Sequence, residues 1–143
     1  MTHRTFVVSL IAIAAFVWAA PVRAQEPSCD DVSMSVVAVA AREVVDRDPV
    51  DPGGPFVANG DPVYIHLTID NSEGPEQEVT IQWNHLDSGN QMTRNLEVGQ
   101  SRRWRTWAFH RMRLSQVGDW RVLILDAQGC VLAQLDFGVY AAE

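Results

Sequence analysis

The stretch that decides the fold is Val63-Tyr64-Ile65-His66-Leu67-Thr68-Ile69-Asp70, in which apolar and polar residues alternate. Successive side chains of a β-strand point to opposite faces, so this pattern predicts a half-buried strand with its aliphatic residues in a core. A second alternating stretch, Val79-Thr80-Ile81-Gln82-Trp83-Asn84, follows a turn at Gly74-Pro75. The two stretches together predict neighbouring elements of a β-sheet.

More strands are predicted on both sides of this pair. Residues 34–45 contain many valines, which favours a strand over a helix, although helical turns stay open there. The hairpin signal Asp87-Ser88-Gly89-Asn90 predicts a return strand at residues 92–98. Residues 103–109, 120–125 and 130–139 are predicted to be strands, and the proline- and glycine-rich residues 46–62 a long irregular connection.

About seven short strands separated by turns predict an all-β fold, an immunoglobulin-like antiparallel β-sandwich. The facing sheets of a sandwich need large apolar side chains between them. The predicted core members are Trp83, Trp120, Val122, Leu135 and Phe137.

Residues 1–24 are predicted to be a signal peptide. A polar start with Arg4 precedes the apolar residues 6–20, and the small residue Ala24 stands before Gln25. This run of 15 residues is shorter than the roughly 20 that span a bilayer, which argues against the alternative of an uncleaved anchor. Removing 24 of the 143 residues leaves one domain, residues 25–143, without a stable membrane span and located in the periplasm or outside the cell.

Export predicts a disulfide between Cys29 and Cys130, because oxidising compartments favour such bonds. A loop of this length gives about 4 to 5 kcal/mol of stabilisation on the loop-entropy model. The alternative is two separate thiols.

Familiar catalytic and cofactor motifs are absent from the sequence: it has no nucleophile elbow, phosphate loop, dinucleotide fingerprint or paired-histidine zinc motif. We therefore expect no catalytic residue, cofactor or metal. Three histidines of the exported chain, His66, His85 and His110, lie on separate segments. They are expected to be surface imidazoles, and a small envelope enzyme or metal site built from them is the alternative. The acids of residues 46–61 do not follow a calcium-loop pattern and are expected to be solvated.

Charge is distributed unevenly along the chain. The exported chain would hold 18 acids against 9 arginines, which argues against a nucleic-acid partner. Residues 102–113 nevertheless hold five arginines and no acid, interleaved with aromatic residues. Guanidinium forks suit carboxylates and phosphates, and flat rings suit sugars. The predicted binding residues are Arg103, Arg105, Trp107, Arg111 and Arg113. The alternative is that these arginines pair with acids on neighbouring strands.

The order of motifs in the second half resembles a known bacterial family. The motifs are Arg103-Trp104-Arg105-Thr106, Gly118-Asp119-Trp120-Arg121-Val122 and Phe137-Gly138-Val139. They resemble the domain of unknown function 2914 (DUF2914), over about residues 34–140. The resemblance implies an extracytoplasmic β-rich domain with no established reaction.

These observations predict an exported, non-catalytic accessory or recognition module at the bacterial cell envelope. Its expected partner is an anionic glycan or an acidic envelope protein, held by the arginine-rich strand. A purely structural envelope protein is a further alternative.

Overall fold

The structure is a computed structural model that describes residues 29–143. The predicted signal peptide, residues 1–24, lies outside the described residues. Across residues 29–143, helices with the length and apolar character needed to cross a membrane are absent.

The described chain forms nine β-strands and two single-turn 3₁₀ helices. The strands are β1 (Ser35–Val45), β2 (Asp48–Pro52), β3 (Phe56–Val57), β4 (Pro62–Asp70), β5 (Gln77–His85), β6 (Gln91–Val98), β7 (Trp104–Arg111), β8 (Gly118–Leu125) and β9 (Val131–Tyr140). The 3₁₀ helices are Cys29–Asp31 and Leu114–Gln116.

The strands form two facing sheets. Sheet I has the order β2-β1-β4-β7, and sheet II has the order β3-β9-β8-β5-β6. All pairs are antiparallel except the short β3 beside β9. The order β1-β4-β7 opposite β9-β8-β5 corresponds to strands A-B-E opposite G-F-C of immunoglobulin-like domains. The predicted all-β sandwich is therefore confirmed.

The core lies between the sheets and contains the residues that alternation predicted. The aliphatic side chains of β4 are at most 2% exposed, and Trp83, Trp120 and Val122 are buried opposite them. Leu135 and Phe137 are partly buried and pack against this core. Each fully buried large apolar side chain contributes about 1.5 to 3 kcal/mol to the free energy of unfolding. The alternating apolar residues of β4, β5 and β8 therefore determine which faces of the two sheets pack together.

The expectation of an irregular connection over residues 46–62 is wrong, because β2 and β3 lie within it. β1 and β2 are joined by the two-residue turn Asp46-Arg47, where φ is 51° and 67°. Such a turn requires positive φ at both positions, and its usual sequence signal is Asn-Gly or Asp-Gly. Arg47 stands where glycine is usual, so the sequence lacks the signal of a hairpin.

The predicted disulfide is confirmed. Cys29 and Cys130 are bonded, with their Cα atoms 5.6 Å apart. The bond joins the 3₁₀ turn before β1 to the turn between β8 and β9. It therefore links the beginning of sheet I to the middle of sheet II.

Candidate binding face and cleft on sheet I

Strand β7 forms the free edge of sheet I and divides its side chains between two faces. Ala108 and Met112 are buried on the core side. Residues at odd positions point away from the core, because side chains alternate along a strand. We call these outward residues the arginine face: Arg105, Trp107, Phe109 and Arg111.

Aromatic rings from β4 and β7 lie side by side on this face. His66 and Trp107 stack with ring centroids 6.3 Å apart and planes 7° apart. Tyr64 and Phe109 meet at 5.4 Å, and the Arg111 guanidinium lies 6.0 Å from the centre of the Phe109 ring. Paired rings of this kind hold one another in place, so the face is a preorganised, partly aromatic surface.

The turn between β1 and β2 bends over this face. His66 Nε2 lies 2.7 Å from the carbonyl oxygen of Arg47, to which it donates because a carbonyl only accepts. Arg105 Nη1 donates to Asp48 Oδ1 at 2.8 Å. β2 and β7 occupy opposite edges of sheet I, roughly 14 Å apart at about 4.8 Å per strand, so this contact requires the hairpin to fold across the sheet. We call residues 45–48 the hairpin cap. It leaves His66 only 2% exposed.

A cleft of about 720 Å³ lies along the free edge of β7, beside the hairpin cap. Its lining holds three arginines and two tryptophans. The lining residues are Arg47, Gln100, Ser101, Arg103, Trp104, Arg105, Thr106 and Trp107. Trp104 is 37% exposed, so its indole ring is accessible. The volume falls within the range of about 300 to 1,000 Å³ that small-ligand sites occupy.

The structure brings three of the five predicted binding residues together. Arg103, Arg105 and Trp107 line the cleft. Arg111 shares the arginine face but lies six residues beyond Arg105, roughly 20 Å along the strand. Arg113 follows the end of β7 and lies outside the cleft lining. The last two residues therefore do not contribute to the cleft.

The alternative of internal pairing holds for one of these arginines. Arg105 pairs with Asp48, which comes from the hairpin cap and not from the neighbouring strand. Within residues 29–143, Arg103, Arg111 and Arg113 have no carboxylate within 4.0 Å. Most of the local positive charge is therefore unneutralised by direct ion pairs in the described chain.

Sequence reasoning missed Arg47 and Trp104 as members of the cleft. Arg47 was placed in an acidic irregular connection, and only the bend of the hairpin brings it to β7. Trp104 is the first residue of β7, and alternation places its side chain on the opposite side from the arginine face. It nevertheless lines the cleft. The clustering of arginine and tryptophan at residues 103–107 is the signal that could have included Trp104.

The expectation of three surface imidazoles is wrong. His66 is buried by the hairpin cap, and His85 is buried inside the sandwich. His85 Nδ1 lies 2.7 Å from Ser88 Oγ, and its Nε2 lies 3.0 Å from the carbonyl oxygen of Val117. The ring also stacks on Trp120 at 4.7 Å. His85 thus joins the β5–β6 turn to the segment that leads into β8.

His110 is half-buried between the sheets near the same tryptophan, at a centroid distance of 6.2 Å. Burial lowers the pKa of His110, and the nearby charges of Arg113 and Arg94 lower it further, while a hydrogen bond with Gln116 opposes the shift. The neutral imidazole is therefore favoured in the folded protein.

The three histidines do not converge on one point. His66 lies outside sheet I, whereas His85 and His110 each lie near Trp120, with ring centroids 4.7 and 6.2 Å from it. Across residues 29–143, His, Cys, Asp and Glu side chains nowhere form a group of three that could hold a metal ion. The alternative of a metal site shared by these histidines is thus contradicted by their positions.

The sequence profile of the family described as "Protein of unknown function (DUF2914)" matches residues 76–139. The resemblance to DUF2914 is confirmed over these residues, which are fewer than the predicted 34–140. The DUF2914 match begins just before β5 and ends within β9, so it includes Arg103, Arg105 and Trp107 and leaves the hairpin cap outside.

None of the curated proteins matches the chain. Among solved structures, the chain is similar to Pseudomonas fluorescens alkylpurine DNA glycosylase AlkC bound to DNA containing an abasic site analog. That similarity has 13% identity and a TM-score of 0.48, and it covers 76% of this chain and 31% of that one. The chain thus spans about a third of the glycosylase, and this degree of likeness assigns it no activity.

Proposed function

We propose that this protein is an exported, non-catalytic recognition module that binds an anionic glycan in the cleft beside β7. The observation that carries the proposal is the grouping of Arg47, Arg103 and Arg105 with the indole rings of Trp104 and Trp107 around one cleft of about 720 Å³. Guanidinium groups donate forked hydrogen bonds to carboxylates, and they do so without losing their charge at any ordinary pH.

The size of the site favours a glycan over an acidic protein. A stable protein partner buries about 800 Å² on each side, usually on an open surface. This cleft has the volume of a small-ligand site and is flanked by flat rings on which sugars can lie. An acidic protein segment is therefore the competing outcome of the test below.

We also propose that the protein works at the cell envelope, in the periplasm or outside the cell. The signal-peptide pattern of residues 1–24 supports this location, and so does the bond between Cys29 and Cys130, since disulfides persist mainly in oxidising compartments. Amino-terminal sequencing of the protein recovered from the periplasm or medium should begin at Gln25. Recovery of the full chain in the cytoplasm would contradict the proposed location.

Affinity electrophoresis with oligogalacturonate tests the proposed ligand class, because every sugar of this probe carries a carboxylate. The neutral comparison is the same oligosaccharide with its carboxylates methyl-esterified. We expect retardation by the acidic probe only. The double variant R103Q/R105Q should bind at least about tenfold more weakly, since one charge-assisted hydrogen bond corresponds to roughly that factor.

The matched control is R94Q/R113Q, which removes the same charge from two exposed arginines outside the cleft. It should retain most of the binding. Equal losses in both double variants would contradict a defined site, as would equal retardation by the esterified probe. Tighter binding of polyglutamate than of oligogalacturonate would make an acidic protein segment the partner. Absence of binding to every probe would favour a structural envelope protein.

A further inference from the structure

One arginine of the cleft, Arg105, already pairs with a carboxylate from the hairpin cap. Asp48 Oδ1 accepts a hydrogen bond from Arg105 Nη1 at 2.8 Å. The Asp48 side chain is 60% exposed, so water reaches the pair. Exposed ion pairs of this kind contribute little to stability and exchange readily with competing ions. The carboxylate of Asp48 therefore stands where an acidic group of a ligand would bind.

The backbone that carries Asp48 is held in an unfavourable conformation. Asp46 and Arg47 both lie in the left-handed region, which side chains other than glycine disfavour. The contacts that hold the turn against the sheet are the hydrogen bond of His66 to the Arg47 carbonyl and the ion pair of Asp48 with Arg105. A ligand that takes Arg105 removes one of these two contacts.

We infer that the hairpin cap is a displaceable lid on the cleft, and that Asp48 holds Arg105 until a carboxylate of the ligand replaces it. This inference rests on the proposed function, and it adds a carboxylate as the acidic group and a competition that sets the affinity. Replacement breaks the Asp48–Arg105 pair and forms an equivalent pair with the ligand. The Asp48 end of the cap then moves away from Arg105, while the hydrogen bond from His66 keeps Arg47 beside the cleft.

The test compares D48N with D46N in the oligogalacturonate assay. Both variants remove one acid from the same turn, but of these two acids only Asp48 has an arginine within 4.0 Å in residues 29–143. D48N frees Arg105 and should bind about two- to fivefold more tightly than the wild type, the range expected for loss of an exposed ion pair. D46N should change the affinity by clearly less.

Hydrogen exchange gives a second readout that does not depend on the variants. Amides of residues 45–50 in the wild type should exchange faster when oligogalacturonate is bound, because the cap is released. Slower exchange of these amides would contradict the proposal that the hairpin cap is a displaceable lid. Equal affinities of D48N and D46N would also overturn it while the proposed function stands, provided that R103Q/R105Q still loses binding. If neither the wild type nor any variant binds oligogalacturonate, the proposed function and the proposed lid are both contradicted.

Discussion

Two histidine–tryptophan pairs occupy opposite environments in this molecule. His66 and Trp107 stack on the outside of sheet I, with ring centroids 6.3 Å apart. His85 and Trp120 stack between the sheets at 4.7 Å. The same residue types thus occur once beside an arginine-lined cleft and once in the interior.

The difference lies in what surrounds each pair. Both ring nitrogens of His85 have hydrogen-bond partners, and the Trp120 indole donates to the carbonyl oxygen of Gln116 at 2.9 Å. Both residues of that pair are at most 4% exposed. His66 is covered by a turn of four residues that an exposed ion pair helps to hold, and Trp107 beside it lines the cleft. The residue types therefore do not distinguish a structural pair from a candidate binding pair. The two pairs differ in whether the residues that cover them can move away.

Replacing the two tryptophans should separate their roles most strongly. Trp120→Ala removes a buried ring and should lower the free energy of unfolding by about 3 to 5 kcal/mol. Trp107→Ala removes a half-buried ring on the surface, so it should cost clearly less while weakening oligogalacturonate binding. Urea unfolding of both variants measures their losses of stability. Similar losses would contradict the assignment of Trp120 to the core and of Trp107 to the binding surface.

Removing the disulfide should affect both regions alike. Cys29→Ser with Cys130→Ser should cost about 2 to 5 kcal/mol, because the unfolded chain regains the entropy of a loop that spans 101 residues. Below its lowered melting temperature the variant should bind oligogalacturonate with unchanged affinity. A large loss of affinity in a folded sample would show that the cleft depends on this bond.

The histidines should differ in the same direction as the tryptophans. His85→Phe keeps a buried ring but removes the hydrogen bonds that the imidazole makes with the Val117 carbonyl and the Ser88 hydroxyl, which should cost about 1 to 3 kcal/mol. His66→Phe should cost less, since water can reach the Arg47 carbonyl once the cap moves. Thermal unfolding of the two variants compares them, and the opposite order would contradict the account of the two environments.

The smallest effect is a pH dependence from the interior region. Because burial lowers the pKa of His110 below 6.5, the unfolded state binds more protons than the folded state just below that pH. Stability should therefore be fully present above pH 6.5, fall as the pH drops through that value, and level off below the pKa of the folded state. His110→Gln should flatten this part of the curve. A wild-type stability that rises on acidification through this range would contradict the direction of the shift.

Much of the fold could be predicted because apolar residues recur regularly on the strand faces that meet between the two sheets. β4, β5 and β8 have apolar residues at every second position, and the two cysteines allowed one pairing. The hairpin of β1 and β2 could not be predicted, because its turn lacks glycine and its bend depends on contacts with β4 and β7.

The candidate site was predictable only in part for the same reason. Arg103, Arg105 and Trp107 are close in sequence, at the beginning of β7 and just before it, so local charge density indicated them. Arg47 reaches the cleft through tertiary folding that leaves no periodic signal. The burial of His66 likewise follows from the hairpin cap and not from its own strand, where alternation placed it outside.

The most direct test of the central claim follows the indole N–H signals of the four tryptophans in residues 29–143 by NMR during titration with oligogalacturonate. The proposal predicts that the signals of Trp104 and Trp107 move and saturate, while those of Trp83 and Trp120 stay in place. Movement of Trp83 and Trp120 with Trp104 and Trp107 unchanged would contradict the claim and place the ligand at the interior region instead.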